Sequence, residues 1–146
     1  MSIARARAPR SEPAVVLRAP RSTDGMGVHR LIAKCRPLDE NSVYCNLLQA
    51  SHFASTSVIA EDGEGNALGF ISGYRLPERE DVLFVWQVAV SSEARGLGLG
   101  KRMLRHLVER SGHEAVRYVH TTVTPDNEAS WGMFRSFARS LEAPLE

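Results

Sequence analysis

Three glycines at alternate positions, Gly96, Gly98 and Gly100, stand between two cations, Arg95 and Lys101, shortly after an apolar run that starts at Val82 and breaks at Ser91. A helical pattern follows, with Met103, Leu104, Leu107 and Val108 on one face. A buried strand feeding a glycine-rich turn at a helix N-terminus is suited to holding phosphate: the free N–H groups of the first helical turn point outward, and residues without side chains let an anion approach the backbone. The nucleotide motifs do not fit. A P-loop needs glycine at position 95 and Ser or Thr at 102, where the chain has Arg95 and Arg102. A dinucleotide fingerprint needs glycine at 101 or 103, where Lys101 and Met103 stand. What remains is Arg-x-x-Gly-x-Gly after an apolar strand, a cradle for some other phosphate ligand or a tight turn with none.

Other side chains carry chemistry singly. Asp39 precedes a helical pattern and suits either of two jobs, gripping a substrate ammonium or capping that helix. Tyr44 lies about a turn and a half later, where its hydroxyl can orient a ligand, donate a proton or simply pack. Trp86 sits in the apolar run, as core or as a water-excluding wall beside a reactive group. His120 reads as a structural histidine or, less simply, a base. Arg75 is a candidate anchor for a carboxylate. Cys35 and Cys45 are too far apart for a Cys-x-x-Cys motif, and the five histidines are scattered, so local spacing builds no metal site.

These residues need a frame. Val15–Arg18 is a short β-prone run. Ser22, Thr23 and Asp24 form a helix start signal ahead of a stripe of Val28, Leu31, Ile32 and Cys35, and Pro37 ends that helix. A second helix is expected from about Asn41 to Ser51, burying Val43, Leu47 and Ala50. Ser57–Glu61 and Ala67–Arg75 read as strands joined by the turn formers Asp62 to Asn66. A charged loop, Leu76 to Asp81, leads into the apolar strand. There Val82, Phe84, Trp86, Val88 and Val90 alternate with Leu83, Val85 and Ala89, so both faces are covered and the strand is central. Ala115–Thr124 is a further strand, and a last helix starts near Asn127 with Trp131, Phe134 and Phe137 or Ala138 on its buried face. The order β, α, α, β, β, β, α, β, α contains a right-handed βαβ unit after an antiparallel hairpin, which gives a mixed α/β sheet with flanking helices.

A chain of 146 residues with a net charge of +1 makes one domain, with no strong case for nucleic acid or a membrane surface. No apolar run reaches the ~18 residues of a membrane span. Residues 1–14 carry Arg5, Arg7 and Arg10 with Pro9 and Pro13 but no apolar signal core, and read as a disordered basic tail ahead of a domain over 15–146. Free thiols and a cytoplasmic location are expected.

The loop and the element order resemble the GNAT N-acetyltransferases from about Val15 onward. By resemblance, the central strand and the next one splay apart to admit pantetheine from acetyl-CoA. Val88 and Val90 would pair with its amides, Arg95, Gly96, Gly98, Gly100 and Lys101 would surround the pyrophosphate, and Asn127 and Ser130 would face the cofactor. A narrower likeness lies in Leu38-Asp-Glu-Asn-Ser-Val-Tyr44, His52-Phe53, Gly69-Phe-Ile-Ser-Gly-Tyr74, Phe84-Val-Trp-Gln-Val88 and Thr121-Thr-Val-Thr-Pro-Asp-Asn127. Together these blocks resemble the diaminobutyrate acetyltransferases of ectoine biosynthesis, which acetylate the γ-amino group of L-2,4-diaminobutyrate. The likeness implies substrate contacts from Asp39, Tyr44 and Trp86, with Tyr44 as the catalytic candidate. Phe134 stands where many acetyltransferases carry a proton-donating Tyr, and the family's last strands have no counterpart after the last helix. Another small amine as acceptor, or a CoA-binding domain without turnover, stay open as alternatives, as do homodimer and monomer.

Overall fold

The computed structural model describes residues 14–35 and 38–146, so the basic tail, Ala14 apart, and the helix-ending Pro37 lie outside the described residues. The chain enters through β1 (Val16–Arg18), then a short 3-10 turn over Ser22–Asp24 runs straight into α1 (Gly25–Lys34). Next come α2 (Val43–Ser51), β2 (Val58–Glu61), β3 (Ala67–Leu76), β4 (Arg79–Val90), α3 (Leu99–Glu109), β5 (Tyr118–Thr121) and α4 (Glu128–Ser140). The strands form one sheet in chain order, antiparallel throughout except for the parallel pair β4–β5. This is the mixed sheet with flanking helices expected from the sequence.

Two apolar layers hold the helices to the sheet. On one face Met103, Leu104 and Leu107 of α3, with Phe134 and Phe137 of α4, pack against Ile71, Leu83 and Val85. On the other, Val28, Leu31 and Ile32 of α1 cover Ile59, Phe70 and Ala89. The helical stripes of α1 and α3 are thus the ones their periodicity predicts.

Four expectations need correction. First, α2 begins at Val43, because the Ser42 hydroxyl accepts the Cys45 N–H at 3.0 Å and caps it. Its buried side is Asn46, Gln49 and Ala50, while Val43 and Leu47 are exposed. The cause is a buried polar chain: His29 Nδ1 lies 3.0 Å from Asn46 Oδ1, and Asn46 Nδ2 donates to Gln49 Oε1 at 3.0 Å, which turns the amide-bearing side of α2 inward. Second, the charged stretch after Leu76 is a tight turn at Pro77 and Glu78, and β4 already starts at Arg79. Third, β5 is only four residues long; Thr122 to Thr124 have left the sheet.

The fourth correction matters most. Gly73 faces Val85 and Ser72 faces Gln87, so Trp86 is an extra residue in β4, a β-bulge. Simple alternation fails across it. Leu83 and Val85 before the bulge, and Val88 and Val90 after it, all pack toward α3 and α4, whereas Ala89 packs toward α1.

One ion cluster ties the sheet edge to α1. Arg18 donates through Nη1 and Nη2 to Asp24 at 2.8 and 2.9 Å, and through Nε and Nη2 to Glu61 at 3.0 Å each. The Arg18 bonds hold the Asp24 carboxyl below its ordinary pKa. A depressed carboxylate adds stability above its unfolded pKa, near ~4, and that stability is lost as pH falls through the folded value. Asp24→Asn is therefore expected to cost about 1–2 kcal/mol at pH 7, and the cost should shrink as pH falls through the folded pKa of the parent's Asp24, as read by urea denaturation over a pH series.

Candidate active site

The β4–β5 ladder runs from Val82–Tyr118 to Val85–Thr121 and stops there, while β4 continues to Val90. Past Val85 the edge of β4 that faces β5 has no strand partner among the described residues. The Thr121 hydroxyl donates to the Val85 carbonyl at 3.0 Å, tying the strands together at the point where they part. The resulting cleft measures about 310 Å³. Trp86, Gln87 and Val88 form one wall, Thr121 to Thr124 the other, and Asn127, Ser130 and Phe134 of α4 and its cap close the back. Leu38, Asp39 and Asn41 form the mouth.

Asp39 is the sole ionisable residue lining the cleft among the described residues. Its helix-capping alternative falls away, since Ser42 holds that position. Trp86 is 44% exposed and meets Tyr74 edge-on at 6.1 Å, so it belongs to the cleft wall rather than to the core. The cleft has no carboxylate on β4 and no hydroxyl on Phe134, which is buried at its back.

At the top of β4 a 3-10 turn over Ser92–Ala94 leads through Arg95 into the glycine loop. Gly96 and Gly98 have φ values of +85° and +62°, the left-handed region that glycine adopts without strain. Gly98 is the N-cap of α3, and no side chain caps the helix, which leaves its first-turn amides available to an anion. At Gly100 a Cβ would meet the flexible Met133 side chain of α4, which would have to move aside. Arg95 is exposed beside the loop, whereas the Lys101 ammonium donates to Ser136 of α4 at 3.2 Å. A loop shaped for phosphate, an uncapped helix end and an unpaired strand edge lie in sequence along one path, and that path fits a long ligand with a pyrophosphate.

The structure thus gathers Asp39, Trp86, Val88, Asn127 and Ser130 in one cleft and strings Val90, Arg95, Gly96, Gly98, Gly100 and Lys101 along β4 and the loop that follows it. Asn127 Oδ1 also accepts the Ser130 N–H at 3.2 Å as the cap of α4. Tyr44 lies outside the cleft lining, 68% exposed. His120 is exposed beside Tyr118, outside the cleft lining. Arg75 faces a second cavity, where it donates to the Gly112 carbonyl near His52, Tyr74 and His113. Gln87, Asn41 and the threonines of the far wall are site residues that the sequence reading missed. Gln87 had one visible signal, as the single polar residue between Val82 and Val90.

No group of three or more His, Cys, Asp or Glu that could hold a metal occurs among the described residues, and no helix among them is long and apolar enough to cross a membrane. Residues 26–138 match the model of the acetyltransferase (GNAT) family. The chain is 50% identical over 133 residues to an L-2,4-diaminobutyric acid acetyltransferase of Methylotuvimicrobium alcaliphilum, covering 91% of this chain and 77% of that protein. It is 48% identical over 124 residues to the enzyme of the same name from Vibrio cholerae, covering 85% and 71%. Among solved structures it is similar to the diaminobutyrate acetyltransferase of Paenibacillus lautus in complex with L-2,4-diaminobutyric acid and coenzyme A, with a TM-score of 0.86 and 42% identity over 91% of this chain and 80% of that one. A splayed central strand, a glycine loop at a bare helix end and these likenesses agree, and the chain belongs to the GNAT acetyltransferase family.

Proposed function

We propose that this acetyltransferase moves the acetyl group of acetyl-CoA to the γ-amino group of L-2,4-diaminobutyrate, the acetylation step of ectoine synthesis. The strongest support is the 42% identity and close superposition with a protein whose structure holds that diamino acid and coenzyme A. Acetyl-CoA supplies an activated acetyl thioester. Gly96, Gly98 and the first turn of α3, with Arg95 at the rim, hold its pyrophosphate, and the open edge of β4 from Trp86 to Val90 offers backbone groups to its pantetheine arm. Lys101, Asn127 and Ser130 complete the cofactor surface in this reading, and residues 15–146 act as one catalytic domain.

An alkylamine with a pKa near ~10 arrives protonated at neutral pH. Asp39 grips such an ammonium. An adjacent carboxylate stabilises the charged amine, so Asp39 binds better than it activates. Proton removal falls to water and to the hydroxyls of Thr121, Thr122, Thr124 and Ser130 along the cleft. The backbone N–H near Val88 stabilises the charge that develops on the carbonyl oxygen. Trp86 walls the reacting centre against solvent. As the acetyl carbon bonds to the amine nitrogen and its bond to sulfur breaks, the departing CoA thiolate takes a proton from Tyr44, the proposed donor and substrate-orienting hydroxyl, which lies in the first turn of α2 just after the Asp39 segment. A small soluble diamino acid as partner, without nucleic acid or membrane, and a cytoplasmic setting follow from this reading.

Phe134 favours a second reading, a CoA-binding domain without turnover, because its ring has no hydroxyl to protonate a departing thiolate. A thiol-release assay with diaminobutyrate, ornithine, lysine and lysine peptides separates the readings. Diaminobutyrate is expected to be the best acceptor. Equal or better turnover of the longer amines overturns the substrate, and acetyl-CoA binding without thiol release from any amine overturns the activity.

A further inference from the structure

The carboxylate proposed to grip the substrate stands on chain with no regular secondary structure: Leu38 to Ser42 lie between α1 and α2 in neither helix nor strand. Gln87 of β4 makes two side-chain bonds to this segment among the described residues. Gln87 Nε2 donates to the Asp39 carbonyl at 3.1 Å, and Asn41 Nδ2 donates to Gln87 Oε1 at 3.0 Å. One carboxamide therefore holds the segment on both sides of Glu40, using its donor and its acceptor at once.

Gln87 reaches that segment because of the bulge. As the residue after Trp86, it pairs with Ser72 rather than with Ile71, the partner that the Val85–Gly73 register would give it without the bulge. Trp86, against Tyr74, and Gln87, against Asn41, both meet groups on the side of the sheet that carries Phe70 and α1. The irregularity that accompanies the parting of β4 from β5 also presents the side chain that fixes the mouth of the cleft.

We propose that Gln87 is a positioning residue that sets acceptor specificity by locking Asp39 at a fixed distance from the open edge of β4. The proposal rests on the reading of Asp39 as the ammonium anchor. An unlocked loop must be ordered by the substrate itself, at the cost of binding energy. It also lets the carboxylate move to meet amines of other lengths, so the discrimination between diaminobutyrate and its longer homologue narrows.

Gln87→Ala is expected to raise the KM for diaminobutyrate about tenfold, with kcat and the KM for acetyl-CoA each within about threefold, and to shrink the preference over ornithine by about fivefold. In an Asp39→Asn background the same change should leave the KM for diaminobutyrate within about twofold, because the lock acts through Asp39. Asn41→Ala removes one bond of the clasp and is expected to fall between Gln87→Ala and the parent protein. Hydrogen–deuterium exchange on the ligand-free protein gives an arm independent of the substrate: amides of residues 38–42 should exchange faster in Gln87→Ala while those of α3 do not change. Additive effects of the two substitutions, an equal rise in both KM values, or unchanged exchange in 38–42 overturns the lock. If the parent protein prefers another amine, the substrate assignment fails, and the exchange result with the coupling measured on that amine still judges Gln87.

Discussion

Asp39→Asn is expected to raise the KM for diaminobutyrate about 30-fold while kcat stays within about threefold. Asp39 is the sole ionisable residue lining the cleft among the described residues. Replacing a charged acceptor by a neutral amide keeps shape and one oxygen but removes the charge that meets the ammonium; a hydrogen bond to a charged group contributes about 1.5–3 kcal/mol, and 2 kcal/mol is about 30-fold in affinity. A group that acted as the base would show a different pattern, a fall in kcat of about 10²–10⁴ with KM little changed. Thermal stability is expected to hold within about 2 °C, because the helix cap at this point is Ser42 and not Asp39. Steady-state kinetics in both substrates, with a melting curve, tests all three statements.

Gly98→Val is expected to raise the KM for acetyl-CoA about 50-fold, with the KM for the amine within about threefold. Gly98 has φ +62° and ψ 31° and caps α3. A β-branched residue there is a conformational outlier, with a cost of at least about 1–2 kcal/mol, so the loop relaxes out of the shape that aims its amides at an anion. The new side chain also stands where the anion must approach. The melting temperature should fall by roughly 3–6 °C. Gly63→Ala, in the turn between β2 and β3 where φ is not positive and no atom crowds the new methyl, is the control and should leave both KM values unchanged. An unchanged KM for acetyl-CoA in Gly98→Val would remove the loop from the cofactor site.

The sequence made the glycine loop, the stripe of α3, the central place of β4 and the Asn127 cap legible, because each follows from local spacing and residue type. The bulge at Trp86 left no mark. From Val82 to Val90 both faces of the strand are apolar, and a shift by one residue exchanges one set of hydrophobic side chains for another of the same kind. The turned face of α2 was hidden for a related reason. Asn46 and Gln49 look like a solvent side until His29, seventeen residues earlier than Asn46, arrives from α1 to pair with them. Tyr44 shows what sequence proximity leaves open: Leu38, Asp39 and Asn41 line the cleft, whereas Tyr44, one helical turn further on in α2, is exposed outside that lining.

The extra residue in β4 means that the opening is encoded by chain length rather than by side-chain identity. Without position 86, Val85, Val88 and Val90 would still fall on one face and Gln87 and Ala89 on the other, so the remaining strand would have uninterrupted alternation. Substitutions at 86 reshape the wall but keep the count, so the gap survives them. Losing a single codon there removes the irregularity and offers β5 a regular edge to zip along. In this chain a substitution at 86 changes the wall, while a deletion of one residue there threatens the cofactor slot itself.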